Sequence, residues 1–206
     1  MIGARRRFLL GTAAILVTSR ASAADDLAER IGRARAKVRT IRGPFEQVRT
    51  VGLLATDVRS RGTLTLVRPD RLRWELAPPD DVTFWVAPEG LAYRSAHGHG
   101  RVPAAQADVS GALDDLRALI GGDVAGLRDR WEMRVLRDDA TGAEIEATPK
   151  PNVTTRLQRL RFSLAPDLVR PTRALLVEGP RDRTSIDFGP MVVNGPVDDA
   201  EMRPPT

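Results

Sequence analysis

Thr63-Leu64-Thr65-Leu66-Val67-Arg68-Pro69-Asp70-Arg71-Leu72-Arg73-Trp74-Glu75-Leu76 decides how the chain is built. Leu64, Leu66, Leu72, Trp74 and Leu76 alternate with other residues at the two-residue period of strands that bury one face. Arg68-Pro69-Asp70 sets a fixed proline torsion where the chain must reverse, so the stretch reads as two antiparallel strands joined tightly. The pattern extends outward in both directions. Strands are predicted over 45–51, 58–67, 71–76, 82–87 and 91–94, with turns at Ala77-Pro78-Pro79-Asp80 and Pro88-Glu89-Gly90. Five more are predicted over 131–137, 143–148, 157–165, 173–178 and 183–188. Strongly twisted sheets of about ten strands curl or close.

Two helical patterns interrupt the strands. Asp25 and Asp26 precede Leu27, Ile31, Ala34, Val38 and Ile41, an apolar stripe along one helix. Asp26 with Glu29 has the spacing of a capping box, and Gly43-Pro44 is its expected stop. In mid-chain, Leu113, Leu116, Leu119 and Ile120 share a helical face behind Ser110, and Gly121-Gly122 interrupts. Asp123 then opens a second short helix through Val124, Leu127 and Trp131. No repeat or long linker divides residues 24–206, which are expected to form one domain.

The first 23 residues read differently. A basic stretch ends at Arg7, an apolar run spans Phe8 to Val17, and Ala21-Ser22-Ala23 is a small-x-small cleavage pattern, so an export signal cleaved after Ala23 is expected. The run is too short for a membrane-spanning helix, which needs roughly 20 residues. Arg5-Arg6-Arg7-Phe8-Leu9 fits the twin-arginine pattern, with a general secretory signal as the alternative. In a two-membrane bacterium the destination is the periplasm.

Of the formal net charge of +5 on 206 residues, four charges come from Arg5, Arg6, Arg7 and Arg20, and no acid lies in that segment, which leaves +1 for the rest. Lys37 and Lys150 are the only lysines among 32 basic residues, so a high isoelectric point reflects arginine chemistry, and no nucleic-acid partner is expected. The absence of cysteine excludes disulfides, thiolate chemistry and lipid attached to this chain's own cysteine. His97 and His99 are the only histidines, and no third ligand accompanies them. No serine lies in a Gly-x-Ser-x-Gly elbow, neither lysine follows a phosphate-cradling loop, and the Asp-Asp doublets fall where turns and caps are expected. An enzyme, a metal and a cofactor are therefore not expected.

The Thr63–Leu76 stretch, followed by Pro78 or Pro79, resembles the LolA family of periplasmic lipoprotein carriers, marked by a Gly-x-Leu strand, an Arg-Pro turn and an aromatic strand ending before a proline. Phe45-x-Gln47, the central two-helix insert, Thr148-Pro149-Lys150 and Pro204-Pro205 agree in order. The resemblance covers nearly all of residues 24–206. Met202 stands where an aromatic is common, and Thr206 follows directly on Pro204-Pro205, whereas some members continue into a further segment.

The resemblance implies a mainly β fold with α: an unclosed antiparallel β-barrel with an N-terminal helix and a central helical lid over its concave apolar face. It implies a monomer that accepts an acylated lipoprotein from an inner-membrane lipoprotein-releasing transporter. Such a carrier shields the acyl chains and passes its cargo to an outer-membrane acceptor. Strand parity nominates Leu64, Leu66, Leu72, Trp74, Leu76, Phe84, Val86, Leu160, Phe162 and Leu164 as cavity lining, about half of them facing ligand and the others packing against the first helix. Trp85 and Tyr93 stay open between the two faces. Lid residues would be Leu113, Leu116, Leu119, Ile120, Val124 and Leu127, and Arg68 matches the family arginine that bonds lid backbone and keeps the empty state closed. A second reading keeps the fold as a lipid- or apolar-ligand-binding module of a specialised export or signalling pathway.

Overall fold

The computed structural model describes residues 18–52, 57–103, 117, 121, 124–153 and 155–205. In chain order these form α1 (Thr18–Arg35), β1 (Thr40–Thr50), β2 (Val58–Val67), β3 (Arg71–Leu76), β4 (Val82–Ala87), β5 (Gly90–Ser95) and β6 (Gly98–Pro103). There follow α2 (Val124–Arg130), β7 (Trp131–Asp139), β8 (Gly142–Pro149), β9 (Arg159–Leu164), β10 (Pro171–Val177), β11 (Arg183–Phe188) and β12 (Val192–Val193). All strands among the described residues belong to one antiparallel sheet in the order β6-β5-β4-β3-β2-β1-β11-β10-β9-β8-β7, with β12 beside β1. Its two end strands, β6 and β7, do not pair, so the barrel is unclosed, as the family resemblance implies.

β1 is the spine between two arms. One side pairs with β2 along ten residues, and the other pairs first with β12 at Ile41 and Arg42 and then with β11 from Phe45 onward. Pro44, which has no N–H to donate, stands at the change of partner, and its carbonyl accepts the Gly189 amide at 2.9 Å. From β1 the inner face spreads in register: Leu64 opposite Trp74 opposite Phe84, and Leu66 opposite Leu72 opposite Val86 opposite Leu91. On the second arm Ile186, Ala174, Phe162 and Ile145 form one such row. Leu27 and Ile31 of α1 are buried in the same apolar cluster.

Gly62 shows how tightly this face is built. It lies opposite Phe45, whose ring passes over it to stack on Trp74 at 3.9 Å, and a Cβ there would sit 1.9 Å from the Glu75 carbonyl oxygen and 2.7 Å from the Phe45 ring. The outer face of the second arm is polar instead. Glu146 accepts bonds from Arg134 at 2.8 Å and Arg161 at 2.7 Å, with Arg159 at 3.8 Å. Burial raises the Glu146 carboxyl, but the two bonded guanidiniums outweigh it and hold it below the usual value.

Four expectations are corrected. The helical stripe ends at Arg35, and Ile41 and Gly43-Pro44 lie in β1; an apolar pair three apart fits a helix, but strand pairing on both sides prevails. α1 starts before Asp25 and Asp26, which therefore do not cap it: Asp25 pairs with Arg128, and Asp26 lies 3.7 Å from Arg30. The predicted strands stop at residue 94 before resuming at 131, whereas β6, with His99, follows β5 directly because Gly98 (φ +136°) lets the chain turn straight back after Ser95. Trp131 opens β7 instead of closing a helix. Arg5, Arg6, Phe8, Leu9, Leu113, Leu116, Leu119, Ile120 and the Val124 side chain lie outside the described residues.

Gly62→Val is expected to lower unfolding stability by about 1–3 kcal/mol in urea melts, the range for forcing atoms into a packed core. Glu146→Gln is expected to cost about 1–3 kcal/mol near neutral pH. Because the folded carboxyl lies below its unfolded value, its contribution is present above that value and is lost as pH falls through the folded one. Acid titration of stability is therefore expected to be shallower in Glu146→Gln.

Candidate functional site

The candidate site is the inner face together with the helix that covers it. All ten residues nominated by parity point to this face, and Leu64, Leu66, Leu72, Trp74, Val86, Leu160, Phe162 and Leu164 are fully packed, with Leu76 and Phe84 half-buried beside them. Phe45 and Phe188, not nominated from sequence, complete an aromatic floor: Trp74 meets Phe188 edge-on at 6.3 Å. Their strand parity was available in Phe45 to Gln47 and in Arg183 to Phe188. A cavity of about 580 Å³ opens beside this floor, lined by Pro44, Phe45, Gly62, Leu76, Pro78 and Phe188 among others. Its size is that of a small-ligand pocket.

Trp85 lies on the outer face. Its Nε1 donates to the Glu201 carbonyl at 2.9 Å, and Arg73 and Arg94 place guanidinium carbons 5.9 and 5.7 Å from its ring. The C-terminal segment thus runs along the back of the first arm, with Met202 buried, Arg42 paired to Glu201 at 3.0 Å and Arg101 donating to the Pro205 carbonyl at 3.0 Å. Tyr93 has inner-face parity and lies over Gly100. His97 and His99 are exposed, and no group of three or more potential ligands that could hold a metal occurs among the described residues.

α1 crosses the inner face from the β7 edge to the β2–β3 turn. Along its length Arg128 of α2 donates to the Ala24 carbonyl at 2.7 Å, and Arg30, five residues before the helix ends, pairs with Asp138 at the end of β7 at 2.7 Å. Leu127 of α2 is buried in the core. At its far end Arg68 donates to the carbonyls of Arg35 and Val38. The first is the last carbonyl of α1 and the second lies three residues beyond it, where the helix dipole favours cations. Among the described residues, then, Arg68 holds the N-terminal helix. The insert reaches the same turn: Arg117 donates to the Asp70 carbonyl at 3.3 Å.

Arg35 is the residue that sequence reading passed over, because one arginine among many has no distinguishing pattern. It is 1% exposed, and its guanidinium donates to the carbonyls of Leu168 at 3.1 Å and Val169 at 3.0 Å in the β9–β10 loop. Burial pushes it down to about 10, the Arg68 charge adds to that, and Asp167 opposes both.

A half-barrel whose apolar inner face is covered by a helix instead of by its own closure defines a class of binding folds. The family model described as "Outer membrane lipoprotein carrier protein LolA" matches residues 36–203, and the chain belongs to this family. No curated protein sequence matches it. Among solved structures the fold is similar to that of a DUF1329 family protein from Desulfovibrio piger (13% identity, TM-score 0.55, covering 90% of this chain and 98% of the other). It is also similar to an uncharacterized conserved protein from Thermus thermophilus (6%, TM-score 0.55, 89% and 94%) and to MucB (12%, TM-score 0.53, 88% and 62%). At these identities the likeness is one of fold.

Placing Trp74 inside and Trp85 outside makes a test available. With a brominated fatty acid as quencher, Trp74→Phe is expected to lose more of the fluorescence quenching than Trp85→Phe; equal losses would contradict this assignment of faces.

Proposed function

We propose that the chain is a periplasmic carrier that shields the acyl chains of lipoproteins during transfer from the inner to the outer membrane. The observation that carries this reading is the family match over 36–203 on a sheet whose inner face is continuously apolar. Acyl methylenes gain about 0.8 kcal/mol each on leaving water, so long chains do not cross an aqueous space uncovered. A helix that occupies the same surface lowers net affinity by competing for it, which lets cargo leave again. In this reading residues 1–23, with Arg5, Arg6, Phe8 and Leu9, form the export signal cleaved between Ala23 and Ala24. No helix among the described residues is long and apolar enough to cross a membrane.

The partners proposed are an inner-membrane lipoprotein-releasing transporter and an outer-membrane acceptor, with the carrier acting as a monomer and without a cofactor. Arg68 is the proposed latch on the closed state, and the insert around Leu113, Leu116, Leu119 and Ile120 is the proposed lid. Purified protein added to membranes bearing newly made triacylated lipoproteins is expected to release lipoprotein into the soluble fraction as a one-to-one complex. Arg68→Leu is expected to load but not to hand on its cargo. Absence of release, with free lipid or another apolar compound found in the purified protein by mass spectrometry, would favour the second reading, a lipid-binding module.

A further inference from the structure

The geometry points to Arg35 as a second latch: the end of α1 is a crossbar between the two arms of the half-barrel, held by Arg68 on the first arm and by Arg35 on the second. The inference rests on the apolar-ligand reading of the inner face. Arg68 follows β2, and its bonds fix the crossbar from one side. From the other, the Arg35 guanidinium holds two successive carbonyls of the β9–β10 loop, and β9 and β10 lie beyond β1 and β11 in the sheet. The two arginines meet at one residue, since Arg68 binds the Arg35 carbonyl while the Arg35 side chain binds the loop.

The loop it grips is wound tightly. Leu168 has φ 57°, a left-handed conformation that aliphatic side chains rarely adopt, and its carbonyl is the one that receives Arg35 Nε. Asp167 caps the Val169 and Arg170 amides at 3.0 and 3.1 Å and pairs with Arg170 at 2.6 Å, which closes the loop on itself. An unfavourable backbone conformation persists where its surroundings over-determine it, and here the over-determining group is a buried arginine delivered by the cover. Under the cover, Leu27 and Ile31 fill the inner face, so a ligand with several acyl chains must displace them to reach Leu64, Leu66 and Leu160. Displacing α1 breaks both sets of bonds together. Arg35 is thus a positioning residue for the closed state.

The test is binding of a fluorescent long-chain fatty acid to the purified protein and to Arg35→Gln, Arg68→Gln, the double variant and Glu146→Gln. Arg35→Gln is expected to bind the probe roughly five- to fiftyfold more tightly, in the range of ordinary coupling between sites, although its empty form melts at lower temperature. The double variant should gain little over either single one, because each substitution frees the same crossbar. Glu146→Gln, on the outer face, should melt earlier with unchanged affinity, which separates latch release from general weakening. A gain in Arg68→Gln with none in Arg35→Gln would overturn the second latch and leave the ligand reading standing. Failure of every form to bind would sink that reading and the inference with it. If Arg35→Gln does not fold, hydrogen exchange of the unaltered protein decides. The Val38 and Leu168 amides, bonded to the Arg35 and Ala165 carbonyls, should lose protection together on loading, and retained protection in the loaded protein would overturn the proposal.

Discussion

A curved sheet whose concave face is apolar and whose end strands do not meet must find its cover outside the sheet. A closed barrel buries its inner face against itself. Here β6 and β7 stay apart, and Leu27 and Ile31 of α1, with Leu127 of α2, complete the core. Much of the remaining structure follows from this. α1 needs anchors along its body and at its end, which explains Arg128 on Ala24 and Arg30 on Asp138 within the helix and the Arg35–Arg68 junction at its C-terminus.

Arginine abundance acquires a structural meaning in this light. Arg35, Arg68, Arg101, Arg117 and Arg128 all end on backbone carbonyls of distant segments. A guanidinium has several donors in a fixed fork and stays charged when partly buried, so one side chain ties a loop or a helix end in two places. Without cysteine, the chain has no disulfides with which to fix those segments. Much of the arginine charge is thus spent within the molecule, on carbonyls and on carboxylates such as Glu146.

The sheet was legible in the sequence where alternation coincided with explicit turn residues. The β2, β3 and β4 limits were readable because Arg68-Pro69-Asp70 and the Pro78-Pro79 turn bracket clear two-residue periods. β6 was not, since Gly98-His99-Gly100-Arg101 has little apolar content, and what makes it a strand is pairing with β5. The end of α1 differs from the helical spacing because Ile41 satisfies both that spacing and strand parity, and only tertiary pairing decides between them. Parity located the inner-face residues of β2 to β4 and β9 but said nothing of how much of that face the helix covers. Arg35 was invisible for a similar reason: its role comes from a loop more than 130 residues away in sequence.

A cover of this kind sets its own affinity scale. Each aliphatic side chain that α1 buries contributes about 1.5–3 kcal/mol, whereas each ligand methylene contributes about 0.8 kcal/mol. Few residues of the helix therefore offset only a moderate length of acyl chain: Leu27 and Ile31 together, at about 3–6 kcal/mol, match roughly four to seven methylenes. Polar bonds at the rim then decide the balance. A hydrogen bond from a charged donor adds about 1.5–3 kcal/mol, so a junction built on Arg35 and Arg68 shifts occupancy by orders of magnitude without any change in the apolar face. Reversible loading needs this division of labour: the inner face supplies generic affinity for hydrocarbon, and a small set of directional bonds at one end of the helix sets how readily that affinity is expressed.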